Sequence, residues 1–354
     1  MTAPNRPARR AVARRAATKH ATARATAASL AAATLLLSAC GADVETDDAG
    51  PGAETVTVPR CGEEVEYRRP ERALAYEAGS ADKLFALGLA DRVLGYVMPP
   101  ANPPVEESPW ADAYAEVEML SDDLLNRELV VEAEADLVVA GWQSGFSEER
   151  GITPEILDDL GIQSFLHSET CYNYPGHPAG FASFEGLYRD LELLGEIFGV
   201  EDRAARVVEE LRDRVAAVRD QAPDGHRPRV FVYDSGTDQP FTSGNQAPPH
   251  EVIEIAGGRN VFHDLTDRWT TVSWEAVVEA RPEVIVVVDY EDQPVEEKID
   301  FLRSSPITRE LPAVRDDNFY VLDYNEAISG PRIVDGAEGF GAYLRSADLG
   351  SSGS

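Results

Sequence analysis

The chain has 354 residues, with 32 Lys and Arg against 63 Asp and Glu, and a formal net charge of −31. At 43% hydrophobic and 27% charged it has the composition of a globular protein with sizeable cores. The acidity excludes broad nucleic-acid binding and a basic membrane-surface patch, since both need clustered Lys and Arg.

Residues 1–39 carry Arg6, Arg9, Arg10, Arg14, Arg15, Lys19 and Arg24 and no acid. Without them 25 bases face 63 acids, a net of −38. A small, apolar run over 27–39 follows, and then Leu37-Ser38-Ala39-Cys40-Gly41. A basic start, a short apolar stretch and small residues before a cysteine read as an export signal. The final run resembles a bacterial lipobox, which implies lipidation of Cys40 and an extracytoplasmic protein anchored to the cell membrane by lipid. The arginine pairs lack the hydrophobic residues a twin-arginine signal places after them, so general secretion is expected. Residues 40–54 hold one Val among Ala, Asp, Glu, Gly, Thr and Pro, too little apolar surface to fold, and read as a flexible tether. Residues 350–354 read as a disordered tail.

An N-terminal lobe is expected over 55–182. Its strands fall near 72–76, 93–97, 137–141 and 163–167, and its helices near 81–89, 127–134 and 153–160. Residues 183–222 contain no Pro before the end of the pattern and repeat Leu and Val at helical spacing, which predicts one long connecting helix, bent near Gly199. A C-terminal lobe is expected over 223–349. Strands there fall near 229–233, 284–289 and 318–322, and helices near 249–256, 273–280, 295–303 and 333–349. Such alternation means parallel sheets flanked by helices. The fold class is therefore α/β, with two Rossmann-like lobes joined by a single rigid helix.

An internal repeat ties the lobes together. Residues 128–139 (ELVVEAEADLVV) and 275–286 (EAVVEARPEVIV) align at a constant offset of 147. Each copy opens on a Glu, runs through a short amphipathic helix and a turn, and ends in a continuous apolar run typical of a buried parallel strand. A second echo pairs Tyr76-Glu77-Ala78-Gly79 with Tyr233-Asp234-Ser235-Gly236, both at a strand's carboxyl edge. In open α/β sheets that edge is where ligands bind.

Two cysteines remain after Cys40, namely Cys61 and Cys171. In an exported domain two leftover cysteines are expected to pair, the alternative being two buried or metal-binding thiols.

Two α/β lobes, a connecting helix and a lipidated tether together resemble the class III substrate-binding proteins of ABC importers. The resemblance covers about 59–347. Its most specific stretches are Gln239-Pro240-Phe241-Thr242-Ser243-Gly244, Ala256-Gly257-Gly258-Arg259-Asn260-Val261-Phe262, the run from Trp269 to Glu275, and Pro331-Arg332-Ile333. These are similar to segments of cobalamin-binding members, although Asp122 stands where those carry an aromatic. The resemblance implies a monomer that captures an iron chelate of the siderophore type and delivers it to a dimeric permease with its ATPase. A cobalamin, corrinoid or haem ligand is the alternative. It also implies that one Glu on each lobe meets permease arginines, and Glu128 and Glu275 match those positions.

The cleft should be lined by loops at the strand ends. Tyr76, Trp142, Phe241, His250, Trp269 and Arg332 are the chosen ligand-binding candidates, with Glu77, Met98, Ser144, Phe146, Tyr172 and Tyr174 beside them on the first lobe. Tyr233, Asp234, Tyr290 and Asn325 complete the set on the second lobe. Aromatics suit a broad, partly apolar chelate or corrin ring, and Arg332 would pair with an anionic group. His167, His177, His250 and His263 show no HxH or HExxH spacing, so no metal site and no resident cofactor are expected. Phosphate-loop, dinucleotide and nucleophile-elbow motifs do not occur in the sequence, which weighs against an enzyme. A free metal-ion binder, or an accessory protein that kept the fold, is the rival from another class.

Overall fold

The computed structural model describes residues 55–347, apart from 101, 103, 177–179, 224 and 291–292. The export signal, Cys40, the tether, the tail and His177 lie outside the described residues. No helix among the described residues is long and apolar enough to cross a membrane.

The first lobe runs β1 (Thr55–Arg60), β2 (Glu63–Arg68), β3 (Ala73–Tyr76), α1 (Glu77–Ala86), β4 (Val93–Val97) and α2 (Ala111–Glu116). It continues through β5 (Glu118–Ser121), α3 (Arg127–Glu132), β6 (Leu137–Ala140), α4 (Pro154–Asp159) and β7 (Gln163–Leu166). Five strands form a parallel sheet in the order β5-β4-β3-β6-β7. β3 and β6 are apolar on both faces and wholly buried, as a sheet covered by helices on each side requires. β1 and β2 form an antiparallel hairpin beside this sheet. The hairpin covers the β7 edge: the Tyr67 hydroxyl donates to the Ser164 carbonyl at 2.8 Å, and Arg60 donates to the Ser164 hydroxyl at 2.9 Å. An edge strand covered in this way cannot template pairing with another chain.

Two helices follow, α5 (Ser183–Phe198) and α6 (Glu201–Asp220). This corrects the single-helix expectation. Gly199 adopts a left-handed conformation (φ 69°) that ends α5, and Glu201 and Asp202 start a new helix at its amino end. α6 then folds back along α5. Arg212 lies over the Tyr188 ring at 4.8 Å, and Gly195 leaves room for Ala204. α6 carries the chain from the first lobe to the second and is about 30 Å long at 1.5 Å per residue. Arg203 at its start donates to the Ala86 carbonyl of the first lobe, and Arg214 pairs with Asp335 and Glu338 of the second.

The second lobe comprises β8 (Arg229–Tyr233), β9 (Phe241–Ser243), α7 (Pro248–Ile255), β10 (Arg259–Asn260) and β11 (Trp269–Thr271). Then come α8 (Trp274–Ala280), β12 (Val284–Asp289), α9 (Val295–Ser304), α10 (Pro312–Arg315), β13 (Phe319–Asp323) and α11 (Ile333–Ser346). Its parallel sheet has the order β10-β8-β12-β13, with a β9–β11 antiparallel ribbon beside it. One buried cluster runs from Val58 through α5 and α6 to Leu344, so the inner helical layers of both lobes share a core. Two further clusters fill the outer face of each lobe.

The 147-residue repeat holds in three dimensions. Asn126 caps α3 by accepting from the Leu129 amide at 2.9 Å, and Ser273 caps α8 by accepting from the Ala276 amide at 3.2 Å. Glu134 and Arg281 close the two helices in the same left-handed conformation (φ 54° and 49°). Each of these pairs is separated by the same offset as the sequence repeat.

Candidate functional site

A cleft of about 750 Å³ opens at the carboxyl ends of both parallel sheets. β3 delivers Tyr76 and Glu77, β6 delivers Trp142, and β7 leads into the loop carrying His167, Glu169 and Tyr172. From the other lobe, β8 delivers Asp234, β12 delivers Tyr290 and β13 delivers Tyr324. Strand order reverses at β3/β6 and at β8/β12, the crevice where loops diverge and leave room for a ligand.

Aromatic rings form the walls. Phe241 and Trp269 stack across the β9–β11 ribbon with centroids 5.8 Å apart, and Tyr290 stacks on Tyr324 at 4.4 Å. Trp142 meets Tyr174 edge-on at 5.0 Å, which fixes its ring at the cleft wall. These pairs hold flat apolar surface in place before any ligand arrives.

Glu77 occupies a backbone position that disfavours side chains (φ 60°). Its carboxylate accepts from the Tyr324 hydroxyl at 3.2 Å, across the two lobes. Burial pushes this carboxyl up to about 7. Strain and an unfavourable ionisation at one cleft residue are features that packing alone does not require. His167 is held well below its ordinary value, by burial first and then by Lys83 and Arg268, so it is neutral and shares a 3.0 Å hydrogen bond with Ser80.

The floor is the seam between lobes. Lys83 and Asp190 are wholly buried and 2.9 Å apart, and Lys83 also donates to the Ser329 hydroxyl of the second lobe at 3.2 Å. A Cβ on Gly79 would sit 2.5 Å from the Ser329 carbonyl oxygen, so only glycine allows this approach. At the opposite wall, Arg268 of the second lobe donates to Glu169 of the first. The loop holding Glu169 is joined to the β1–β2 hairpin through Cys61 and Cys171, whose sulfurs are 2.08 Å apart.

Of the six chosen ligand-binding candidates, Tyr76, Trp142, Phe241 and Trp269 line this cleft. His250 does not. It stands in the first turn of α7, which begins at Pro248, and faces Glu254, His263 and Arg227 instead. Arg332 also lies elsewhere, because it turns to Asp323 at 3.3 Å and is buried behind the seam near Asp82. Glu77, Ser144, Tyr172, Asp234 and Tyr290 line the cleft as expected. Met98, Phe146, Tyr174, Tyr233 and Asn325 are buried and do not. The Arg268–Glu169 pair and Tyr324 were not among the sequence candidates. Tyr324 sits just past a strand end, which was a usable signal; the ion pair spans 99 residues and left none.

Glu128 and Glu275 do not line the cleft; they are the second residues of α3 and α8. Both are exposed, and the residues that follow them have the same order of exposed and buried positions in each lobe. No group of three or more His, Cys, Asp or Glu among the described residues is placed to hold a metal ion.

The periplasmic binding protein family model matches residues 74–326. An ABC transporter substrate-binding lipoprotein of Bacillus subtilis, YvrC, is 24% identical over 316 residues, covering 86% of this chain and 92% of its own length. A vitamin B12-binding protein of Photorhabdus laumondii is 27% identical over 227 residues, covering 64% and 74%. Among solved structures, a component of an Fe3+-hydroxamate transport system from Saccharomonospora viridis superposes with a TM-score of 0.70 at 27% identity, over 82% of this chain and 99% of its own. The matched region spans both sheets, α6 and nearly all of the cleft, and on that ground the chain belongs to the periplasmic binding protein family, as a binding protein and not an enzyme.

Proposed function

We propose that this protein captures an iron chelate of the siderophore type between its lobes and delivers it to the permease of an ABC importer. The observation that carries this reading is the cleft itself, preformed, walled by two stacked aromatic pairs and fed by the strand ends of both lobes. Similarity to the hydroxamate-system structure supports it. Cobalamin is the second reading, favoured by the B12-binding relatives.

Trp142 and Trp269 line the cleft and make the test direct. Ferric siderophores, haem and cobalamin are titrated against the soluble chain, and intrinsic fluorescence is followed. The right ligand quenches strongly; if none does, the assignment fails.

On this reading residues 1–39 direct export, Cys40 carries the lipid anchor and 40–54 tether a monomer to the outer face of the membrane. Residues 55–182 and 223–349 act as the two lobes. Glu128 and Glu275 dock onto arginines of a dimeric permease, for which two matched acids on equivalent lobes are suited. Glu128→Arg with Glu275→Arg should abolish uptake and spare ligand binding. Uptake surviving that double reversal overturns the docking role.

A further inference from the structure

The charges of the cleft carry information about its ligand beyond the general class of iron chelates. Resting on the siderophore reading, we propose that the preferred ligand is a chelate with a positively charged arm, an ammonium group received by Glu77 among Tyr76, Tyr290 and Tyr324, and that anionic chelates are rejected.

Four acids line the cleft, Glu77, Glu169, Asp234 and Asp267, against one base, Arg268. That base is already committed to Glu169. The other cations near the cleft are engaged as well. Lys83 is buried against Asp190, and Arg332 pairs with Asp323. Arg150 donates to the carbonyls of Ser144 and Gly145. His167 is neutral. A tricatecholate or a carboxylate-rich chelate therefore meets more acid than base, with Arg268 held by Glu169 and Arg150 turned to the main-chain carbonyls of Ser144 and Gly145. Bringing like charges together in a site of low dielectric is strongly unfavourable.

An ammonium arm meets the opposite situation. Glu77 supplies the anion, and the stacked rings of Tyr290 and Tyr324 together with Tyr76 supply aromatic surface beside it. A cation near such rings gains further attraction as it loses water. The empty cleft holds Glu77 at about 7, with Tyr324, Arg150 and Arg268 as the groups facing it. An arriving cation favours the ionised form, so the preference for it should strengthen from pH 6 to pH 8.

The test uses three probes on the soluble chain at low salt. The first is a linear ferric trihydroxamate with a free terminal ammonium, the second is the same chelate with that amine acetylated, and the third is a trianionic ferric tricatecholate. The ammonium form should bind about tenfold tighter than the acetylated form, the equivalent of about 1.4 kcal/mol. The tricatecholate should bind weakest of the three. Glu77→Gln should bring the ammonium and acetylated forms within about twofold of each other. If that variant fails to fold, the wild-type comparison of the first two probes still decides. Tricatecholate binding as tight as the ammonium form, or acetylation without effect, overturns the inference while leaving the siderophore reading intact. Quenching by none of the three probes removes both.

Discussion

Lys83 and Asp190 form the most deeply buried ion pair described in this fold. Both side chains are wholly inaccessible, and their charged atoms lie 2.9 Å apart. Asp190 also accepts from the Ser168 amide at 2.9 Å, and Lys83 reaches Ser329 in the other lobe. Replacing Lys83 with Met keeps the length of the side chain and removes its charge. Asp190 is then left buried with only one neutral donor, which costs about 3–5 kcal/mol. That is a large share of the roughly 5–15 kcal/mol that hold a protein domain folded. Adding Asp190→Asn removes the stranded charge and keeps an oxygen for the Ser168 amide. The double variant should recover most of the loss, since a neutral replacement of a buried pair is often nearly neutral in energy. Equilibrium urea unfolding of the three proteins, followed by tryptophan fluorescence, reads these differences directly. A single variant that loses less than about 1 kcal/mol, or a double variant no more stable than the single, would refute the reasoning.

Three further outcomes follow from buried groups and close contacts. Asp82 is held by the Tyr114 hydroxyl at 2.7 Å, and burial pushes its carboxyl up to about 7. The folded chain thus keeps a proton that the unfolded chain releases near its ordinary value of 3.8, so stability falls as pH rises from about 4 to 7. Asp82→Asn should remove up to about 1.4 kcal/mol per pH unit of that slope, and equal slopes in unfolding experiments at pH 5 and 7 would contradict this. Gly79→Ala should cost about 1–3 kcal/mol through overpacking against Ser329 and should weaken ligand capture by opening the seam; thermal melts and titrations check both, and unchanged values count against a tight seam. Peptide mapping without reductant should recover Cys61 and Cys171 in one linked fragment, and reduction should destabilise the chain by about 2–4 kcal/mol. Separate thiols in the exported protein would rule the link out.

The parts of the fold that repeat were the parts most legible in the sequence. An amphipathic stretch followed by an apolar run predicted α3 with β6 and α8 with β12, and their caps and left-handed ends fall at the same offset. Local periodicity carries that information because each element buries one face against its own sheet. The cleft was legible only in part. Tyr76 and Trp142 sit at or just past strand ends that an apolar run reveals, whereas His250 and Arg332 depended on which way a loop turns. Arg332 found a nearer carboxylate in Asp323, and nothing in its neighbouring residues announces that choice. Gly199 was visible as a weak point in the helical pattern, but folding α6 back on α5 rests on Arg212, Tyr188 and Ala204 meeting across the turn. The β1–β2 hairpin had a readable sign that went unused, the alternation of Val56 and Val58 with Val65 and Tyr67 around Cys61-Gly62.

The β7 edge and its covering hairpin bear on how this protein should be cut for expression. The segment that matches the family begins at residue 74 and ends at 326, so it omits the hairpin and all of α11. A fragment trimmed to those limits would bare an edge strand, lose the cysteine partner that moors the Glu169 loop, and strip Arg214 of both its carboxylates. Recognition and folding thus draw different borders on this chain. A soluble product should begin ahead of residue 55 and run through 347.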